Sequence, residues 1–245
     1  MMAVSNAKIF LLEERRAAMQ VNIILVPDMV QLDATGPYEV LARTPGWTID
    51  WVAASLEPVR TERGLTILPT KTRETASASD LLVVPGGSGI DRALLDPDWV
   101  AYTGREAERA RFVFGICTGS LLLAASGVLK GRKAGGHWLS RNLLANFGVI
   151  PSDERMTIDG KFYTSGGVTA GVDMALRVVA DLVDETTARK IQLQIEYDPA
   201  PPFVGGTPIS SPPEITAALR EAGRERCAKR ERMVAEAVAR LRAHP

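Results

Sequence analysis

Cysteine and histidine are scarce in this chain, two of each in 245 residues. The cysteines, Cys117 and Cys227, stand in unlike settings 110 positions apart, which excludes a disulfide framework. No CxxC pair or Cys/His cluster offers a zinc site, so neither a metal nor an organic cofactor is expected. An excess of either charge is also missing: 29 basic and 29 acidic residues cancel, which excludes a general attraction to nucleic acid or anionic membrane. No segment approaches the length of a transmembrane helix. The opening stretch MMAVSNAKIFLLEERRAAMQ has only IFLL as an apolar run and carries its charges after it, the reverse of a secretory signal. Residues 1–20 therefore read as a loose extension and the cytoplasm as the setting. There is no internal repeat.

What is present is an alternation of strand and helix signals. Residues 21–26 (VNIILV) form a continuous apolar run, suited to a strand covered on both faces of a parallel sheet. QLDATGPYEVLART follows, in which Pro37 suits a first helical turn with Asp33 or Thr35 as its cap. A second strand is expected over 49–53 and a pair of short strands over 57–69, around Gly64. The third buried strand, 80–85 (DLLVVP), runs into PGGSG, where Gly86 and Gly87 let backbone N–H groups face a ligand as an anion-holding nest. An amphipathic helix over 97–110, a helix over 138–147 closed by Gly148 and a hairpin over 155–164 around Asp159-Gly160 come next. TSGGVTAG then opens a helix with Val172, Leu176, Val179 and Val183 at core-face spacing.

This alternation predicts an α/β fold, a mostly parallel sheet sandwiched between helices, with ligands at the strand carboxyl ends. Residues 21–245 read as one domain. Its segment 198–213, with six prolines, reads as an extended arm. A C-terminal helix follows with Cys227, Val234, Val238 and Leu241 on one stripe, Glu225/Lys229 and Glu236/Arg240 as supportive pairs, and its remaining Arg and Lys residues as a solvated face.

The chain is organised around residues 111–129, RFVFGICTGSLLLAASGVL, whose character changes at Cys117. A strand-like run precedes the cysteine and a Leu/Ala-rich helical run follows it. Gly115 and Gly119 flank it at the spacing of a sharp strand-to-helix elbow. A thiol held there lies beside the free N–H groups and positive dipole end of the helix, which lower its pKa and make it a nucleophile.

These residues resemble the ThiJ/PfpI family of the class I glutamine-amidotransferase-like superfamily, nearest to its isonitrile hydratase branch. The carriers are QLDATGPYEVL, VVPGGSG, ICTGSLLLAASGVLKGRKA with HW after it, TSGGVTAGVDMAL and QLQIEYDPAPPF, which together span the chain from about residue 21 onward. The resemblance implies a flavodoxin-like sheet, Cys117 as nucleophile, Thr118 beside it, Asp33 in QLDATGP as the acid, and a small isonitrile substrate hydrated to an N-substituted formamide. It places Gly86, Gly87, His137 and Gly167 around the substrate. Partnership as a homodimer is expected, since relatives commonly pair and the arm and tail exceed what one core needs. His137 is read either as a partner of the thiol or as a histidine tying down its loop. Gly135, Gly136 and Ser165 depart from the branch, which tends to carry threonines at the first two positions and glycine at the third. Two alternatives accompany this reading: another cysteine-elbow hydrolase or carbonyl-adduct enzyme, and a ligand-sensing domain like that of AraC-type regulators, whose DNA-binding units this chain lacks the length to add.

Overall fold

The computed structural model describes residues 18–243. Most of the N-terminal extension expected over 1–20 lies outside those residues. Strands β1 (Met19–Ile24), β2 (Trp47–Ala53), β6 (Leu81–Val84) and β7 (Phe112–Ile116) carry the apolar runs seen in the sequence. They join β5 (Lys71–Thr72), β10 (Met156–Asp159) and β11 (Phe162–Ser165) in a seven-stranded sheet of order β10-β11-β7-β6-β1-β2-β5. Every pairing is parallel except β10 with β11, the predicted hairpin. All four residues of β6 are buried, as a strand covered on both faces requires. Short pairs β3 (Val59–Arg60) with β4 (Thr66–Ile67), and β8 (Lys133–Ala134) with β9 (Ile150–Pro151), lie outside the sheet.

From β1 the chain steps outward to β2, then returns to build β6, β7 and β11 on the other side. Right-handed crossovers in opposite directions put their helices on opposite faces. Helix α1 (Gln31–Leu41), following β1, packs on α5 (Ala170–Leu182), which in turn packs on α6 (Glu185–Gln194). The other layer holds α2 (Gly89–Ala93), α3 (Pro97–Arg109) and α4 (Gly119–Ala125), covered by the C-terminal helix α8 (Arg224–Ala243). The reversal point between β1 and β6 is where such sheets open a crevice.

Several expectations are corrected. Helix α1 begins at Gln31 without a side-chain cap, so Asp33 lies in its first turn and Pro37 in its interior; Thr35 donates to the Gln31 carbonyl oxygen at 3.0 Å. The segment before Gly148 is a 3₁₀ helix, Arg141–Phe147, starting later than predicted. The buried face of α5 is Met174, Ala175, Val178 and Val179, leaving Val172 and Leu176 partly buried and Val183 36% exposed. Two helices, not one, follow the arm: α7 (Pro213–Ala222) and α8. Of the two predicted pairs on α8 only Glu236 with Arg240 forms among the described residues, at 2.6 Å.

Gly119 is where the elbow admits no side chain. A Cβ there would overlap the Val84 carbonyl oxygen at the end of β6. We expect Gly119→Ala to cost about 3 kcal/mol by overpacking, read as a fall in denaturation midpoint. Gly167→Ala, whose Cβ meets nothing within 4 Å, serves as the comparison; equal midpoints for the two variants would overturn the packing account.

Candidate active site

Three neighbouring strands, β1, β6 and β7, deliver the site from their carboxyl ends. Cys117 follows β7 with φ 58, a left-handed backbone that costs a non-glycine residue about 1–2 kcal/mol. The conformation is pinned on both sides: the Cys117 N–H donates to Ser165 O at 3.1 Å, and its carbonyl accepts the His137 N–H at 3.2 Å. Cys117 is nonetheless only 5% exposed.

Asp33 reaches the thiol from the first turn of α1 and is fully buried. Its Oδ2 accepts the Gly86 N–H at 2.9 Å; its Oδ1 has no hydrogen-bond partner, and the Cys117 thiol lies close enough to the carboxyl to interact with it. Gly86 permits this approach, because a Cβ there would stand 2.8 Å from Cys117 Cβ and 2.9 Å from Asp33 Oδ2. Thr118 closes the other side: its hydroxyl accepts the Gly87 N–H at 2.9 Å and donates to the Gly87 carbonyl at 3.1 Å. The Gly86 and Gly87 amides are thus bonded to Asp33 and Thr118 and do not form the expected nest. The loop after β1 is zipped to the same turn, with Val30 N–H on Gly86 O at 2.9 Å and Gly89 N–H on Asp28 O at 3.1 Å.

Burial sets the protonation. It lifts Asp33 from 3.8 to about 7, against the lowering effect of the Gly86 N–H. It also drives the Cys117 thiol well above its ordinary range, helped by the neighbouring Asp33 charge and opposed by the Thr118 amide and the Arg230 guanidinium. The sequence reading of a thiol lowered by the elbow is therefore reversed. A helix end supplies at most about 2 kcal/mol, or about 1.5 pKa units, and full burial exceeds it. His137 is driven down to about 4 by burial and by Arg230 and Arg226, so its imidazole is neutral. Its Nδ1 accepts the Leu139 N–H at 3.4 Å, and among the described residues no hydrogen bond joins it to the thiol, in keeping with the loop-tying reading.

A cavity of about 140 Å³ opens on the thiol, walled by Gly87, Thr118, His137, Val168, Glu62 and Arg230 among others. Gly167 sits just outside, its place taken by Val168; Gly135 and Ser165 are buried behind the site, and Gly136 backs the Cys117 carbonyl. Cys227 does not line that cavity and is half-buried on α8. The residue that periodicity missed is Arg230, on the face assigned to solvent. It is 5% exposed, and donates from Nε to Asp91 Oδ1 at 2.5 Å, from Nη2 to Asp91 Oδ2 at 3.2 Å and from Nη1 to Ser140 Oγ at 2.7 Å.

A family model described as the DJ-1/PfpI family matches residues 19–181. The chain belongs to the DJ-1/PfpI family. Within it, the chain is 39% identical over 224 residues to the isonitrile hydratase of Pseudomonas putida, spanning 91% of this chain and 98% of that one. The crystal structure of a ThiJ/PfpI family protein from Pseudomonas syringae superposes with a TM-score of 0.86 at 38% identity, covering 89% of this chain and 90% of that chain. The HTH-type transcriptional regulator GbdR of Pseudomonas aeruginosa is 34% identical over 133 residues, 53% of this chain and 36% of the regulator. Arg230 lies beyond the part of the chain that the DJ-1/PfpI model matches. No helix among the described residues is long and apolar enough to cross a membrane.

The raised Asp33 carries a stability signature. The unfolded chain releases this proton near pH 3.8 and the folded chain not until about 7, so the folded state binds more protons in between. Its stabilising contribution is complete below pH 3.8 and is lost as pH rises to about 7. We expect Asp33→Asn, which keeps an acceptor for the Gly86 N–H, to gain on wild type by a few kcal/mol between pH 4 and 8 in denaturant titrations. A difference that stays flat across that range would contradict the assignment.

Proposed function

We propose that this chain is an isonitrile hydratase, converting R–N≡C and water to an N-substituted formamide. The observation that carries the reading is the packing of Cys117 and the buried Asp33 carboxyl around Gly86, where burial drives both groups up so that above about pH 7 the pair keeps one proton, on the thiol. An isonitrile carbon needs a nucleophile and a proton at the same atom, and this pair supplies both. The relationship to the Pseudomonas putida enzyme supports the same assignment.

In the first half, Asp33 carboxylate takes the thiol proton and passes it to the isonitrile carbon as the sulfur attacks, giving the thioimidate R–N=CH–S–Cys117. Charge is conserved and no free thiolate has to persist in the buried site. In the second half, Asp33 takes a proton from water; the oxygen adds to the imine carbon and the proton passes to nitrogen. The C–S bond of R–NH–CH(OH)–S–Cys117 then breaks, Asp33 carries the hydroxyl proton to the departing sulfur, and the formamide leaves. Thr118, fixed by both its bonds to Gly87, holds the turn against the thiol through each step.

The shared proton dictates the pH dependence. The competent pair carries one proton, so kcat/KM rises through pH about 7 as Asp33 loses its own, and falls only in the alkaline range of the thiol. With cyclohexyl isocyanide as substrate, we expect Cys117→Ala to abolish formamide formation and Cys227→Ala to retain it. Asp33→Asn should lose on the order of a hundredfold in kcat while keeping its circular dichroism spectrum. A folded Asp33→Asn protein within about threefold of wild type would remove Asp33 from the chemistry.

The similarity to GbdR favours a second reading, a sensor domain that binds the same ligand class without turnover. Ligand binding with no formamide product would select it. We further infer a homodimer in a cytoplasmic setting. Phe203, Val204 and Ile209 on the arm are 84%, 94% and 86% exposed, and α7 buries none of its residues, with Ile215 and Leu219 half in solvent. Burying such side chains is worth about 1.5–3 kcal/mol each, and the second copy is the partner assigned here. Light scattering at micromolar concentration should give twice the chain mass, and a monomer mass would overturn the assignment.

A further inference from the structure

The C-terminal helix puts two arginines on the cavity wall, Arg226 and Arg230, one turn apart on the same face of α8. Arg230 has five N–H donors, of which Asp91 and Ser140 take three, leaving one on Nη1 and one on Nη2. Arg226, in the exposed outer part of the wall, has no ion-pair partner among the described residues. Glu62 is the carboxylate that lines the same cavity, and its charge bears on Asp33, whereas Arg226 and Arg230 bear on His137. The cavity wall therefore carries one carboxylate, Glu62, and two guanidinium groups, of which Arg230 is ion-paired with Asp91 and Arg226 is not. Its volume of about 140 Å³ suits a small molecule; an engineered cavity of about 150 Å³ takes benzene, with about six non-hydrogen atoms.

Resting on the isonitrile hydratase reading, we propose that α8 makes this a pocket for an anionic substrate: an isocyano acid of the size of isocyanoacetate, with its carboxylate on Arg226 and the free donors of Arg230 and its isonitrile carbon toward Cys117. A planar guanidinium matches a carboxylate in two parallel bonds, and a neutral isonitrile of equal size forfeits them. Arg226 and Arg230 are thus specificity-determining residues, lying outside the elbow that performs the chemistry.

The test separates anion recognition from hydration by using covalent probes, with free 2-mercaptoethanol as the reference thiol because Cys227 adjoins Arg226. Alkylation of the whole protein by iodoacetate and by iodoacetamide is followed by peptide mass spectrometry, and the ratio of the two rates is taken at Cys117 and for the reference thiol. We expect that ratio to be higher at Cys117 than for 2-mercaptoethanol, and Arg226→Gln to lower it at Cys117 by about fivefold. Arg230→Lys, which keeps the charge but not the fork, should lower it as well. The parallel assay compares kcat/KM for isocyanoacetate and its methyl ester, and Arg226→Gln should narrow the preference for the acid through KM. A Cys117 ratio equal to that of 2-mercaptoethanol, unmoved by Arg226→Gln, overturns the anion pocket even if neutral isonitriles are hydrated. A high ratio in a protein that hydrates no isonitrile upholds the pocket and sinks the hydratase reading instead.

Discussion

The close approach of three backbone turns at Gly86 is the constraint on which the site depends. The Asp33 carboxyl, the Cys117 side chain and the Thr118 amide crowd a position where any Cβ would stand within 2.9 Å of all three. Removing the side chain there lets β1, β6 and β7 bring an acid and a thiol together while each remains fully packed. Gly119 does the same for the helix that leaves the elbow. The left-handed Cys117 is tolerated because its N–H and C=O are bonded to fixed neighbours, so the local strain is offset by the fold around it.

Such packing decides the chemistry through water exclusion. A thiol at an exposed helix end would be a standing nucleophile. Here desolvation outweighs the dipole, and in the proposed reaction the reactive form exists only as a proton changes hands with Asp33. A buried acid–thiol pair of that kind suits a neutral substrate carbon that must receive both a nucleophile and a proton. Catalysis of this type needs short, fixed distances more than it needs a low thiol pKa.

Much of this was legible in the chain. The runs VNIILV, DLLVVP and FVFGI announce buried parallel strands because local composition suffices for an element covered on both faces. The elbow is legible because glycines two residues either side of Cys117 have a steric cause. The protonation of the site was not, since desolvation arises from side chains distant in sequence. Asp33 looked like a cap because QLDATGP has the local chemistry of one, and only the packing of α1 shows it one turn inside. The face of α5 shifted because its apolar residues cover more than one stripe, and tertiary contact chose Met174, Ala175 and Val178. Arg230 escaped because an arginine in an Arg-rich helix reads as solvated. Nothing local distinguishes it from Arg232 or Arg240, and its partner Asp91 is 139 residues away.

That separation has a consequence in time. Closing a loop of 139 residues costs more chain entropy than the local contacts of β1, α1 and β6, and contacts of such reach form after the framework that rewards them. On the ribosome the order is enforced, since the thiol of Cys117 and its carboxyl partner emerge well before α8 is made. The newborn chain therefore carries both members of the acid–thiol pair with one wall of their chamber still unsynthesised. Among the described helices, the last to appear is the one that seals it.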